Sequence, residues 1–408
     1  MAIGQSIRAG VFCMLLASFA TQAAPLKEDS SGDCSVLAAT DYQSLTAISA
    51  LPDPFLTPHG ERISHTRQWR CQRAYLSEQL QHWVYGEKPA PQGGVSAQVN
   101  ARSITINVTK GTKRIAYTAE ITLPSAGKPP YPAIIAVGRS FLDNQALLQQ
   151  GIAIINFPND ELGEQHDASS RGKGKFYALF GEDHSAASTV AWAWGVSRLI
   201  DGLQQTQGNQ INTNSLGITG CSRNGKGALV SAALDERLAL SIIQESGAGG
   251  TASWRVSDAQ LATGDNVQTA RQIVTENTWL KKDFARFAES VSKLPVDNHQ
   301  LMGLVAPRGL LLLENTDMEW LGNQSAYVSA LAAREIYRAL GADNNIGMTQ
   351  IGGHQHCQVP ESQKPAINAF VERFLLQQNT ETNVWESDGE FNAERERWIP
   401  WSTPVLAP

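Results

Sequence analysis

Long apolar runs are scarce in this 408-residue chain: beyond the first two dozen residues no stretch is long and uncharged enough to cross a membrane. Clustered positive charge is also missing. Its 33 Lys and Arg are scattered against 39 Asp and Glu, a formal net charge of −6, so there is no electrostatic footprint for nucleic acid. Internal repeats, low-complexity tracts and an interdomain linker are absent, which excludes solenoids and leaves one domain as the expected organisation. No His-Glu-x-x-His cluster is present, and the loop pair His354 and His356 lacks a third ligand group, so no metal and no organic cofactor is expected.

Cysteine is sparse too, with five in all. Cys13 falls in an N-terminal segment that carries Arg8, an apolar stretch over 11–19 and then Thr21-Gln-Ala-Ala24. That order fits a secretory signal over 1–23 with a small-residue cleavage site, and no lipobox-like sequence precedes Cys13. The expected product is exported, either secreted or periplasmic, and has no membrane partner. Removing the signal leaves Cys34, Cys71, Cys221 and Cys357, an even number that favours disulfides in an oxidising compartment, with three connectivities open. The ten tryptophans of a mildly acidic exported chain are compatible with carbohydrate contact.

With 42% hydrophobic residues the chain can bury a large core. A polar segment leads to Leu51-Pro-Asp-Pro-Phe55 and an amphipathic helix expected over 66–85, closed by Gly86 and Pro89. Alternating runs at 103–109 and 115–123 predict an antiparallel pair with one solvated face. From there apolar runs at 133–137, 152–157, 214–219, 238–243, 309–313 and 346–351 alternate with helix-length segments at 184–205, 225–234, 325–340 and 362–377. Strands separated by crossover helices imply an α/β protein with a mostly parallel sheet covered on both faces, and loops at the carboxyl ends of the strands as the functional ones. A wrap before this region and a tail over 380–408 complete the expected single domain, 24–408.

Gly220-Cys-Ser-Arg-Asn-Gly-Lys-Gly227 joins one such strand to a helix. A serine on a tight strand-to-helix turn, with glycines that let the backbone fold under it, is the nucleophile elbow of α/β-hydrolases, which makes Ser222 the candidate nucleophile. The usual second glycine position is Asn224, and the glycine falls at Gly225 instead. Acyl transfer also needs a base, an acid that orients it and donors for the oxyanion, in the chain order Ser, Asp or Glu, His. Glu245 follows one strand, Glu314 another, and His354 and His356 a third. If Cys221 pairs with Cys357, the bond draws Ser222 and His356 together, which favours His356 as base and leaves His354 a structural role.

These residues resemble the glucuronoyl esterases of carbohydrate esterase family 15. Similar blocks occur in order along nearly the whole mature chain: Leu51-Pro-Asp-Pro-Phe, His184-Ser-Ala, Ala191-Trp-Ala-Trp-Gly, Gln244-Glu-Ser-Gly-Ala-Gly-Gly, Val267-Gln-Thr-Ala, Thr275-Glu-Asn, Ala306-Pro-Arg-Gly, Glu314-Asn, Trp320-Leu-Gly and Gly353-His-Gln-His-Cys. The resemblance implies an α/β-hydrolase fold, a three-layer αβα sandwich. It implies a triad of Ser222, Glu245 and His356, with Arg223 on the oxyanion and a further donor in the Arg223 N–H, bordered by Gly138. It also implies a uronate pocket of Lys226, Gln268, Glu276 and Trp320, and bridges Cys34 to Cys71 and Cys221 to Cys357.

Family members with a third disulfide have it where this chain carries Ser253 and Ser329, so a bacterial-type member is expected. Some members place the acid after a later strand, where Asp317 and Glu319 offer carboxylates that could partly replace Glu245. The implied substrates are esters of glucuronic acid in glucuronoxylan with lignin alcohols, acted on by a monomer. The alternatives are a general or acetyl xylan carboxylesterase, which has no need of Lys226, Gln268 and Glu276 as a set, and a non-catalytic secreted carbohydrate-binding protein.

Overall fold

The computed structural model describes Met1 and residues 26–35, 39–91 and 94–408. The expected export signal lies, apart from Met1, outside the described residues.

Ten strands form one sheet: β1 (Val95–Val99), β2 (Ser103–Lys110), β3 (Lys113–Thr122), β4 (Tyr131–Val137), β5 (Ala153–Phe157), β6 (Ile211–Cys221), β7 (Leu238–Gln244), β8 (Gly309–Glu314), β9 (Ile346–Gln350) and β10 (Trp385–Ser387). Their spatial order is β1-β2-β3-β5-β4-β6-β7-β8-β9-β10. The pairs β1/β2, β2/β3 and β3/β5 are antiparallel, and every pair from β5/β4 to β9/β10 is parallel. β3 alternates buried and exposed residues along its length, as its period-2 sequence requires. The central parallel strands are buried throughout, so their sequences read as continuous apolar runs.

Side-chain alternation divides the core in two. Ala133, Ile135 and Val137 of β4 and Leu310 and Leu312 of β8 point to one face, where they pack with Val190, Leu199 and Leu203, Leu229 and Ile336. Those residues belong to the helices α3 (Ser188–Gln205), α4 (Arg223–Leu234) and α5 (Asn323–Ala339), which follow α1 (Thr66–Leu80) and α2 (Asn144–Gln149) in the chain. Ile134, Leu311 and Leu313 point the other way, onto Leu147 of α2 and Ile367, Phe370 and Val371 of α6 (Lys364–Phe374). The result is the expected three-layer αβα sandwich with an α/β-hydrolase sheet.

The two chain ends are tied into this frame more firmly than a wrap and a tail suggest. Glu28 inserts its carboxylate, 8% exposed, between Lys88 and Arg198, and Cys34 is bonded to Cys71 on α1. The segment from residue 380 supplies β10, which pairs with β9, and then buries Trp398, Ile399 and Leu406. Its backbone closes on the N-terminal part, with Leu51 N–H donating to Trp398 O and Ala407 N–H to Ser64 O. A three-residue edge strand lacks the run length that signals a strand in sequence, so only its packing reveals it.

Candidate active site

β6 runs straight into α4 with Ser222 alone at the turn, at φ 59° and ψ −127°, a conformation that a side-chain-bearing residue adopts only under constraint. Two glycines make the turn possible. A Cβ on Gly220 would sit 2.3 Å from Asn224 O, and one on Gly225 would sit 2.8 Å from Gln244 O, so the helix start lies directly against the ends of β6 and β7. Gly225 therefore does the close-approach work, and Asn224 uses its side chain instead. Its Oδ1 accepts from Asn159 Nδ2 and Gln165 Nε2, both at 3.1 Å. Ser222 N–H donates to Gln244 O at 3.0 Å, which locks the elbow to the next strand. Ser222 Oγ has no hydrogen bond among the described residues and is half-buried at the surface of the turn.

Glu245 and Cys357 share the positive φ of Ser222, at 45° and 66°. Three of the five non-glycine residues with this backbone among the described residues therefore lie at one place in the fold, which is how strain distributes around functional sites. Glu245, 2% exposed, directs Oε2 to His356 Nδ1 at 2.5 Å, while its Oε1 accepts the Cys357 N–H at 3.0 Å. The Cys221–Cys357 bridge spans 5.8 Å between Cα atoms and sets the residue after His356 against the residue before Ser222. His354 is occupied elsewhere, its Nε2 on Ile351 O at 2.8 Å and its Nδ1 on Gln355 O at 3.0 Å. Asp317 accepts from Gly353 N–H at 2.7 Å and Glu319 from Asn266 N–H at 3.1 Å, so both carboxylates are committed away from His356. Cys221, His356 and Cys357 also lie close enough to suggest a metal cluster, but both sulfurs are consumed by the disulfide.

Arg223 opens α4, whose first N–H groups have no partner within the helix and whose dipole favours negative charge at Ser222. Its guanidinium rests over the Trp279 ring, 4.9 Å from the centroid, and Nη1 reaches Gln165 O at 3.4 Å. Gly138 borders the elbow through Asn224, yet its own N–H donates to Phe157 O at 2.9 Å and is not free for an oxyanion.

Lys226, 4% exposed, donates from Nζ to Ser246 O at 2.6 Å and lies 5.3 Å from the Trp279 centroid. Burial pushes its pKa down to about 8, opposed by the Glu276 carboxylate. Gln268 Nε2 donates to Glu276 Oε2, and Gln268 N–H donates to Trp320 O at 3.0 Å. The Trp320 side chain stands 37% exposed, an available apolar face beside a polar patch. The structure thus gathers Lys226, Gln268 and Glu276 into one charged cluster, with Trp320 tied in through its backbone.

Two features escape sequence reasoning. Trp279 is a shared floor under Arg223 and Lys226, held by its Nε1 donating to Gln165 Oε1 at 2.9 Å. Its position three residues after Glu276 was a signal, but nothing in the sequence separates it from nine other tryptophans. Gln165 is the hub that joins Trp279, Asn224 and Asp160. Glu314, placed after a strand by its sequence, is fully buried at the end of β8. Burial pushes its pKa up to about 8 against the Thr251 hydroxyl, which donates to Oε1 at 2.6 Å. Burial therefore favours its protonated form, opposed by the Thr251 hydroxyl and the Lys226 ammonium.

Comparison with known proteins fits this geometry. A protein-family model described as glucuronyl esterase, fungi, matches residues 106–341. A 4-O-methyl-glucuronoyl methylesterase of Thermothelomyces thermophilus is 46% identical over 378 residues, 92% of this chain and 92% of the relative. Among solved structures, the glucuronoyl esterase catalytic domain from Hypocrea jecorina superposes with a TM-score of 0.87 at 41% identity, covering 91% of this chain and all of that one. A serine-to-alanine mutant of the glucuronoyl esterase from Sporotrichum thermophile, in complex with methyl 4-O-methyl-β-D-glucopyranuronate, gives 0.86 at 45% identity, covering 91% and 100%.

The expectation of a bacterial-type member is corrected by these matches, which are to the fungal type. Two bridges in place of three do not decide the type. Ser253 and Ser329 are both fully buried without a disulfide, and Ser253 caps the helix Trp254–Thr263 by accepting from Val256 N–H at 3.3 Å, so the local structure closes without the bond.

Proposed function

From the premise that the chain belongs to the glucuronoyl esterases of carbohydrate esterase family 15, we propose that it hydrolyses esters of (4-O-methyl-)D-glucuronic acid in glucuronoxylan with lignin alcohols, through Ser222. The observation that carries the site assignment is the pair Glu245 Oε2 and His356 Nδ1 at 2.5 Å, beside an elbow serine bridged to it by Cys221–Cys357. Glu245 holds the proton on Nδ1, which leaves Nε2 of the imidazole as the base.

His356 takes the Ser222 proton as Oγ attacks the uronate carbonyl. The negative charge that develops on the carbonyl oxygen is met by the Arg223 N–H, the start of α4 and the Arg223 guanidinium. Collapse expels the alcohol, protonated by His356, and leaves a glucuronoyl ester on Ser222. Water, deprotonated by His356, then attacks that ester, and the acid departs as Oγ recovers its proton. Lys226, Gln268 and Glu276 offer an ammonium, a carboxamide and a carboxylate to the sugar hydroxyls, and Trp320 and Trp279 offer apolar faces. Binding at the sugar positions the carbonyl for attack, which is where such remote contacts gain rate.

The chain works, on this reading, as a monomeric domain over 24–408, exported after removal of 1–23, with no nucleic-acid or membrane partner. The two disulfides are consistent with secretion.

The test compares methyl glucuronate with p-nitrophenyl acetate, using wild type and Ser222→Ala. Turnover of the glucuronate ester that falls about 10⁴-fold or more in Ser222→Ala is the expected result. Turnover of acetate alone would favour an acetyl xylan or general carboxylesterase, and turnover of neither ester a binding protein.

A further inference from the structure

Arg223 is the group that meets the developing oxyanion, yet it is an exposed side chain at the first position of α4. Among the described residues its guanidinium forms no ion pair and a single hydrogen bond. Lys226, three residues on along the same helix, carries a like charge that repels it. Without an anchor the guanidinium would swing into solvent, and a charge that must be recovered from solvent at each turnover stabilises a transition state less than one already in place. Two contacts hold it: the face of Trp279, with 4.9 Å from Cζ to the ring centroid, and the Gln165 carbonyl, 3.4 Å from Nη1.

Both contacts trace to Gln165, which is buried. Its carbonyl also accepts from Asn277 Nδ2 at 2.9 Å, and its Oε1 accepts the Trp279 Nε1–H at 2.9 Å. Its Nε2 donates to Asn224 Oδ1, on the residue after Arg223, at 3.1 Å and to Asp160 Oδ1 at 2.7 Å. The segment that carries Gln165 is itself docked, with Trp192 Nε1 donating to Gly163 O at 2.8 Å and Thr278 Oγ1 to Glu164 O at 3.1 Å. Gln165 thus ties the elbow to residues 277–279, which follow the helix Ala270–Glu276 of the uronate cluster. Lys226 shares the Trp279 ring but depends on it less, because it is buried and Nζ has its own acceptor in Ser246 O at 2.6 Å.

We infer that Gln165 is a positioning residue for the oxyanion arginine: through its carbonyl and through Trp279 it holds the Arg223 guanidinium beside the elbow, and it acts on the reaction through that group. The inference rests on the reading of Arg223 as an oxyanion donor in a serine esterase. It does not depend on which acid the ester contains.

The experiment measures kcat and KM of the full chain on methyl glucuronate for wild type, Gln165→Met, Trp279→Phe, their double variant, Arg223→Ala, and Gln165→Met combined with Arg223→Ala, with urea unfolding of each to establish that it folds. Gln165→Met keeps the length and loses the side-chain bonds, while Trp279→Phe keeps a ring face and loses the Nε1–H that reaches Gln165. Each is expected to lower kcat about tenfold, short of the ~10²–10³ that follows outright loss of an oxyanion donor, with KM within about twofold of wild type. The double variant should lose no more than Gln165→Met alone, since both changes cut one bond, and Gln165→Met should add less than about twofold to the loss in Arg223→Ala. A loss that multiplies with that of Arg223→Ala, a rise in KM in place of a fall in kcat, or an unchanged kcat overturns the inference and leaves the esterase reading intact. Turnover of p-nitrophenyl acetate without turnover of methyl glucuronate sinks the uronate reading alone, and the same set of variants measured on acetate then decides the role of Gln165. Turnover of neither ester sinks both.

Discussion

Glu245 has both carboxylate oxygens committed, one to His356 Nδ1 at 2.5 Å and one to the Cys357 N–H at 3.0 Å. Glu245→Gln keeps the shape but can offer an N–H where the imidazole needs an acceptor, which favours the wrong tautomer. The expected outcome is a kcat on methyl glucuronate lower by about 10⁴-fold with KM little changed. Asp317 and Glu319 should not rescue it, because each carboxylate is turned to a backbone N–H elsewhere, of Gly353 and Asn266, and neither bonds His356; a loss of less than tenfold would mean that another carboxylate serves His356.

Lys226 gives a second prediction at this scale. Its pKa is lowered from 10.5 to about 8 by burial, so the ammonium is present below that value and lost above it. Hydrogen bonding to the uronate weakens accordingly, and KM should rise as pH passes through about 8 while kcat changes less. Lys226→Met should raise KM at neutral pH and remove that pH dependence. The stability linked to this group runs the opposite way: the unfolded chain binds the extra proton between pH 8 and 10.5, so stability rises with pH across that window.

Among the elements, the β6–α4 turn and the loop after β9 are separate in sequence and made one unit by Cys221–Cys357. The bridge closes a separation of 136 residues. Chain-entropy reasoning places its contribution at about 4–5 kcal/mol. The Cys221→Ser, Cys357→Ser double variant should therefore lose about that much unfolding free energy in urea, with a correspondingly lower midpoint, compared with wild type without reductant. Its kcat should fall further than KM rises, since the loop carrying His356 is released while the sugar cluster on α4 and the helix Ala270–Glu276 is not. A variant with unchanged kcat would show that packing alone positions His356.

For the molecule as a whole, the described N-terminal segment places one carboxylate, that of Glu28, among buried cations of the core. Glu28 meets Lys88 at 2.6 Å, Arg198, and Arg237 at 3.6 Å, and the Arg198 and Arg237 side chains are 1% and 3% exposed. Asp201 and Asp235 offset part of that positive charge but leave Lys88 to Glu28. Removing one member of such a buried set strands the others, so Glu28→Gln should cost about 3–5 kcal/mol in urea or thermal unfolding. A loss below 1 kcal/mol would mean that water reaches the cations and the segment is only a cover.

The chain's own pattern was enough for the strand and helix alternation, because strands buried on both faces must be apolar throughout and crossover helices must be amphipathic. It was enough too to put Ser222 on a strand-to-helix turn, where glycines at 220 and 225 let the backbone approach closely, and to set Glu245 and His356 after later strands, where the structure brings them into contact. Sequence could not choose between His354 and His356 without the bridge, nor distinguish a committed carboxylate such as Asp317 from an available one, because hydrogen bonding to backbone is invisible in residue type. The role of Trp279 as a floor, the complete burial of Glu314 and the strand β10 were decided by tertiary structure alone. Each depends on burial and on contacts between segments far apart in the chain, and those are fixed only once the sheet has assembled.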